Sequence, residues 1–191
     1  AAGKDFSLAG AWITHLLLAA MPIVTIGTAE QKEKYLPRMA AGELIGALCL
    51  TEPEAGSDLT GLRTLASRDG DQYVLNGRKT FISNLSIAGV FLVLTTVDRS
   101  VRGGGLTMFI VDRDCPGLTT GPPLDKRECR SWPTGEVFFE NCRVPVENRL
   151  GDERKGLQYM LESLMWERLA FAPYVGLMES NLDECIEYSR Q

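Results

Sequence analysis

Glu167 follows Leu164 by three residues and precedes Phe171 by four, so on a helix its carboxylate stands beside an apolar stripe. A carboxyl group in such surroundings loses hydration and its pKa rises, which suits it to take a proton from a weak carbon acid. A second feature lies upstream, where Leu48-Cys49-Leu50-Thr51-Glu52-Pro53-Glu54-Ala55-Gly56-Ser57-Asp58 joins an apolar run, a hydroxyl, a turn and small residues. Leu44 to Leu50 has the length of a strand, and Pro53 forbids helix and holds Glu52 extended. Ala55-Gly56-Ser57 lets backbone approach a ligand closely, with the Ser57 hydroxyl and nearby N–H groups available to a phosphate. Thr51 can hydrogen-bond a polar ring edge. Taken alone, the block reads equally well as a strand with a Pro/Gly turn. Glu167 taken alone reads as an Arg-paired or solvent-facing helix residue.

These residues sit in a chain of 191 residues, 45% hydrophobic and 24% charged, which fits a soluble globular protein of one large or two small domains. A net charge of -5 without a Lys/Arg-rich tract argues against a nucleic-acid partner. Cys49, Cys115, Cys129, Cys142 and Cys185 form no CxxC pair, which points to reduced thiols in a reducing compartment and to no metal site. His15 is the only histidine, which argues against a Ser-His-Asp or Cys-His relay, and His15 reads as a packed or exposed helix residue. Ala9 to Ile26 is apolar, but His15 and Pro22 interrupt it; the expectation is a buried helix and no membrane span. The chain starts Ala-Ala and ends within a helical pattern, which suggests a piece cut from something longer.

Residues 7 to about 43 read as helical, with a break at Met21-Pro22 and a second helix capped by Thr28-Ala29-Glu30-Gln31. Glu30, Gln31, Lys32, Glu33 and Lys34 read as its exposed turn and Tyr35, Leu36 and Met39 as its buried side, with Gly42 as the stop. From Leu44 to Pro145 the texture is β, with runs at Thr64–Ser67, Tyr73–Leu75, Thr80–Ile82, Val90–Val97, Leu106–Val111 and Val137–Phe139. Asp69-Gly70-Asp71 and Asn76-Gly77 both read as turns of an antiparallel meander, and Gly103-Gly104-Gly105 as a flexible hairpin tip rather than a phosphate loop, since no helix follows. After Leu150-Gly151-Asp152 the apolar spacing is that of one long amphipathic helix, kinked or broken near Pro173.

Four elements stand in a fixed order: Leu48–Asp58, Gly77-Arg78-Lys79-Thr80-Phe81-Ile82-Ser83-Asn84, Val137 to Pro145 with Leu150-Gly151, and Trp166-Glu167-Arg168. Together they resemble the acyl-CoA dehydrogenase family from about Gly27 to Gln191. The resemblance implies an α+β multidomain fold: the end of an N-terminal helical domain (residues 1–45), an antiparallel β-barrel or sandwich middle domain (46–150), and the first helix of an incomplete four-helix bundle (151–191). It implies FAD held by Leu48, Leu50, Thr51, Gly56, Ser57, Phe81, Ile82 and Ser83, with Phe81-Ile82-Ser83 standing where relatives have Trp-Ile-Thr. Phe81 keeps a flat apolar face but loses an indole donor, and Ser83 keeps a hydroxyl.

The resemblance further implies Glu167 as the catalytic base, as in the branch similar to isovaleryl- and long-chain acyl-CoA dehydrogenases. Ser57, Met165 and Arg168 are implied as substrate contacts, Arg168 acting as an anchor by charge. The implied reaction is that of fatty acid metabolism: α-proton abstraction from an acyl-CoA thioester, β-hydride transfer to flavin, a trans-2-enoyl product, and reoxidation by an electron-transfer flavoprotein. Relatives are homodimers or homotetramers, in the bacterial cytoplasm or the mitochondrial matrix. Two departures bear on the substrate. Met165 stands where many relatives have an aspartate bonded to pantetheine, and Arg130-Ser131-Trp132-Pro133-Thr134 inserts Trp and Pro into a loop beside the flavin's neighbouring elements. An acyl or aminoacyl thioester on a carrier protein is therefore an alternative substrate. A same-fold flavin monooxygenase or nitroalkane oxidase is a second alternative, and a non-catalytic scaffold a third.

Overall fold

The computed structural model describes residues 5–165 and 172–190. Helix α1 (Phe6–Ile13), a π-helical segment (Thr14–Ala20) and α2 (Met21–Ile26) run as one continuous helix, long and apolar enough by composition to cross a membrane. The expected break at Met21-Pro22 does not occur. Pro22 lies in the first turn of α2, after the wider π turn, where its missing N–H disrupts no α-helical bond. The helix is packed through Ala19 and Ile23, both without solvent exposure, and through His15. The His15 Nε2 donates to the Met39 carbonyl (3.1 Å) and its Nδ1 accepts from the Gly46 N–H (3.0 Å), so the single histidine joins helix, helix and strand.

Helix α3 (Ala29–Ala40) begins with the expected capping box: the Gln31 N–H donates to the Thr28 hydroxyl and the Thr28 N–H to the Gln31 side chain. Gln31 itself is not exposed. Its amide is buried and donates to the carbonyls of Glu147 and Arg149, at 2.7 and 2.9 Å. An amide can do this where a carboxylate could not, because it carries donors to offer two orphan carbonyls. Gly42, at φ 75°, ends the turn that leads into the sheet.

The strands are β1 (Gly46–Cys49), β2 (Leu65–Asp69), β3 (Gln72–Ser83), β4 (Val90–Thr96), β5 (Leu106–Asp112), β6 (Leu118–Thr120), β7 (Thr134–Pro145) and β8 (Arg149–Leu150). They form one mixed sheet in the order β6-β7-β3-β2-β4-β5-β8, with β1 beside β4. Most pairs are antiparallel, as expected; β1 and the end of β2 run parallel to β4. Strand β4 is buried at every position because it has two cores. Phe91 and Val93 face a cluster with Tyr73, Leu75, Phe109, Val137 and Phe139 inside the curled sheet, while Val90, Leu92 and Leu94 face a second cluster with Ile23, Tyr35, Met39 and Met160 from the helices. Burial on both faces accounts for its unbroken apolar run. Helices α4 (Gly156–Leu164) and α5 (Ala172–Ser189) follow; the segment between them, in which the kink was expected, lies largely outside the described residues, and Pro173 falls inside α5.

The turn at Gly70 (φ 65°) forms as expected between β2 and β3. Asn76-Gly77 is not a turn. Strand β3 runs through it with a register shift against β7, and Gly77, at φ 154°, brings its backbone so close to β2 that a Cβ would lie 2.5 Å from the Thr64 hydroxyl. Positive φ here serves a β-bulge, and Asn76 accepts the Asn141 N–H (2.8 Å) to close it. Residues 97–105 connect β4 to β5, with Gly103 at φ 71°.

Candidate active site

After Cys49 the chain leaves β1 and crosses β3 as a strap, Leu50-Thr51-Glu52. The Leu50 carbonyl accepts from Lys79 Nζ (3.0 Å) and the Thr51 carbonyl from the Thr80 N–H (2.9 Å), so both carbonyls are committed to β3. Glu52 and Ala55 then exchange N–H···O bonds at 2.9 and 3.1 Å around Pro53-Glu54, which gives the tight turn that the proline required. Because the Leu50 carbonyl and the Thr51 N–H belong to one peptide plane and point opposite ways, the Thr51 N–H is directed away from Lys79. Among the described residues it has no acceptor, and neither has the Thr51 hydroxyl a partner.

The strap is fastened by an ion pair that the sequence reading did not single out. Lys79, with no solvent exposure, holds Glu52 Oε1 at 2.8 Å, and the Glu52 carboxylate also accepts the N–H groups of Arg63 (2.6 Å) and Thr64 (2.9 Å). Burial pushes the Glu52 carboxyl up, but the Lys79 ammonium and the hydrogen bonds from Lys79, Thr64 and Arg63 outweigh it and hold the group below the usual carboxylate range. The same burial draws Lys79 below the usual ammonium value against the pull of Glu52. The available signal was a lone lysine inside a strand pattern with a glutamate fixed by the proline after it.

Two residues past Lys79, Phe81 sits at φ 57° in a second register shift of β3 and is 65% exposed. Left-handed backbone at an aromatic residue, with its ring offered to solvent, costs conformational energy in a strand that could have buried it. The neighbours are ordinary: Ile82 is 2% exposed in the inner core, and Ser83 is half-buried and pairs with Thr134. Leu48 likewise faces the helix-side core, so Leu48 and Ile82 can offer a ligand only their backbone. Gly56 and Ser57 are exposed beyond the Glu52–Ala55 turn. Asn84 (φ 63°) closes the region, donating to the carbonyls of Ala11 and Gly46 at 2.9 and 3.2 Å.

Trp132 packs against α1: a Cβ on Gly10 would meet its ring at 2.5 Å, and Lys126 bonds its carbonyl. On the other side of α1, a groove of about 400 Å³ is lined by Trp12, Ile13, Leu16 and Leu17 with Ala172, Pro173 and Gly176 of α5, all apolar. Met165 follows α4 and is 58% exposed. Glu167 and Arg168 lie outside the described residues. The structure thus brings Leu50, Thr51 and the 81–83 bulge onto neighbouring strands, sets Gly56 and Ser57 past the turn, and leaves the expected base undescribed.

Residues 47–142 match the family described as acyl-CoA dehydrogenase, middle domain, and residues 1–43 match acyl-CoA dehydrogenase, N-terminal domain. The L-prolyl-[peptidyl-carrier protein] dehydrogenase of Pseudomonas fluorescens is 45% identical over 188 residues, which cover 97% of this chain and 50% of that protein. The mitochondrial isovaleryl-CoA dehydrogenase of Pongo abelii is 41% identical over 177 residues, 91% of this chain and 42% of that one. Among solved structures, the prolyl acyl carrier protein oxidase AnaB superposes with a TM-score of 0.96 at 43% identity, over 98% of this chain and 50% of AnaB. The chain spans about half the length of the relatives it matches. With two family models matching residues 1–43 and 47–142 and a relative 45% identical over 97% of the chain, the chain belongs to the acyl-CoA dehydrogenase family.

Proposed function

We propose that the full-length protein is an FAD-dependent dehydrogenase that desaturates an aminoacyl thioester carried on a carrier protein. The observation that carries the flavin is the strap: a Thr51 N–H and hydroxyl without partners among the described residues stand next to β3, which bears an exposed Phe81 ring at positive φ. That combination fits a flat, largely apolar ring with hydrogen-bond acceptors on its edge. Thr51 would hold that edge, Phe81 would cover a face, Ser83 would offer its hydroxyl, and Gly56-Ser57 would meet a phosphate with backbone N–H groups. Leu48, Leu50 and Ile82 would contribute backbone. When bound, FAD supplies the acceptor for the hydride that leaves the substrate's β-carbon.

Glu167 takes the proton from the substrate α-carbon, and Arg168 anchors the helix or the substrate by charge. The apolar groove beside α1 excludes water from the chain or ring of the acyl group. With domain limits at residues 45 and 150, the flavin-binding strands would belong to the middle unit and Glu167 to the third. The carrier-bound substrate is supported by the 45% identity with a prolyl-carrier dehydrogenase and by Met165, which stands where the family resemblance leads one to expect an aspartate. A second reading, an acyl-CoA ester with an electron-transfer flavoprotein as acceptor, is supported by the 41% identity with isovaleryl-CoA dehydrogenase. Product analysis of the full-length protein with prolyl, butyryl and isovaleryl thioesters, each on a carrier protein and on CoA, tests both. The first reading requires an unsaturated prolyl-carrier product, and conversion of CoA esters alone would establish the second.

A further inference from the structure

Cys115 and Cys142 stand 27 residues apart in sequence, yet their Sγ atoms lie 3.4 Å from each other. Among the described residues no other two of the five cysteines bring their sulfurs into contact. The fold builds this approach. Cys115 opens the turn between β5 and β6: its N–H donates to the Asp112 carbonyl (3.0 Å) and its carbonyl accepts from the Leu118 N–H (3.1 Å). Cys142 lies on β7 opposite Leu75 of β3, without solvent exposure, in the inner core. Gly117, at φ 88°, lays the turn directly on β7. Its carbonyl accepts the Glu140 N–H (2.8 Å), and a Cβ there would lie 2.5 Å from the Glu140 carbonyl oxygen and 2.9 Å from the Cys142 backbone. Only glycine combines this backbone angle with so close an approach, and the approach is what sets one thiol over the other.

The two sulfurs differ in access. Cys115 is half-buried and lines a cleft of about 760 Å³ between α3 and the β5–β6 turn, while Cys142 is enclosed. A disulfide holds its sulfurs about 2 Å apart, so closure needs a further approach of about 1.4 Å, within reach of side-chain rotation at Cys115. We propose that Cys115 and Cys142 form a modification site for a hydroperoxide, Cys115 being attacked first and Cys142 resolving it, and that the resulting disulfide staples the β5–β6 turn to β7. The Cys115 thiolate attacks one oxygen of hydrogen peroxide, forming an S–O bond as the O–O bond breaks, and gives a sulfenic acid and hydroxide. The Cys142 sulfur then attacks the Cys115 sulfur, forming the S–S bond as the S–O bond breaks. In sum two thiols lose two hydrogens and two electrons, and the peroxide becomes two waters. Burial and the Asp112 and Asp114 carboxylates push the Cys115 thiol up against the hydrogen bond with Cys142, and burial pushes Cys142 up as well. Thiolate is therefore scarce at neutral pH and the pair closes slowly, but the reduced state also lacks the thiolate stabilisation that makes a disulfide easy to reduce.

The test treats the full-length, FAD-loaded protein with hydrogen peroxide at a dose that oxidises the exposed Cys185, then digests it without reductant and reads the peptides by mass. The wild type should yield the Cys115 and Cys142 peptides joined with the loss of two hydrogens, and dithiothreitol should separate them. In Cys142→Ala the reaction should stop at the Cys115 sulfenic acid, which dimedone traps; in Cys115→Ala, Cys142 should remain a thiol. The urea midpoint of the oxidised wild type should rise by about 1 M over the reduced form, because the bond closes a loop in the unfolded chain, and the shift should be absent from both variants. A wild type whose Cys115 and Cys142 both stay reduced, or whose Cys115 runs on to the sulfinic acid beside a free Cys142, would overturn the pairing. Oxidation of Cys142 in Cys115→Ala would overturn the order of attack, and a joined pair without a rise in midpoint would overturn the staple.

Discussion

In the proposed reading, Thr51, Lys79 and Glu52 serve to hold a ring and Glu167 to move a proton. Replacing Glu167 by Gln should lower dehydrogenation by about 100-fold or more while flavin absorbance per protein is unchanged, since general-base contributions are typically of that size. Near wild-type turnover would remove Glu167 as the base. The Lys79–Glu52 pair makes a stability prediction. Removing the lysine charge with Lys79→Met leaves the Glu52 carboxylate buried among two N–H donors alone and should cost about 3 to 5 kcal/mol in denaturant unfolding. The Glu52 carboxyl is held below its ordinary value of 4.5, so the folded state binds the proton less readily than the unfolded chain does. Its contribution is therefore complete above about pH 4.5 and is lost as pH falls through the lowered folded value. Unfolding free energy measured from neutral pH downward should drop in that window, and less steeply in a Glu52→Gln/Lys79→Met variant. Of these residues, Thr51 could be singled out because it stands where an apolar run meets a Pro/Gly turn, whereas Glu167 as base rests on the resemblance and lies outside the described residues. Lys79 could not be singled out, because its meaning depends on a strap 27 residues away in sequence crossing above it.

At the scale of elements, the legible parts were those fixed by short-range chemistry. The Thr28–Gln31 capping box, the Gly70 hairpin and the apolar run of β4 all formed where side-chain type dictates backbone. The misread parts were those in which one dipeptide suits two outcomes. Asn76-Gly77 supplies positive φ equally to a hairpin turn and to a bulge, and only the β7 partner across the strand selects the bulge. Pro22 breaks a helix in isolation but is accommodated after a π turn packed on Ala19 and Ile23. Short strands such as β6 and β8 carry too few residues to show a period. The bulge reading predicts that Gly77→Ala destabilises the fold by about 1 to 3 kcal/mol, from φ 154° and the approach of Thr64, as read by the shift in denaturant midpoint. A neutral effect would mean that β2 can move away at little cost.

For the whole molecule, the sheet's two cores decide where a ligand can go. The inner core and the helix-side core consume both faces of β4 and β5, so a ligand would have to meet the strap, the 81–83 bulge and the loops beyond, where the Thr51 N–H has no acceptor among the described residues. The helix α5 adds an apolar wall against α1, where the Phe6 and Tyr174 rings meet at a tilt of 45° with centroids 4.3 Å apart. In the proposed reading, the cofactor wall and the acyl groove are built from separate elements, and the full-length protein brings them together with Glu167. The measurement that tests this most directly is anaerobic mixing of full-length, FAD-loaded enzyme with a prolyl thioester on its carrier protein, followed by flavin absorbance and mass analysis of the carrier. The account predicts loss of the oxidised flavin band in a single turnover together with a two-hydrogen mass loss on the prolyl group. An unchanged band with an intact prolyl-carrier would contradict it.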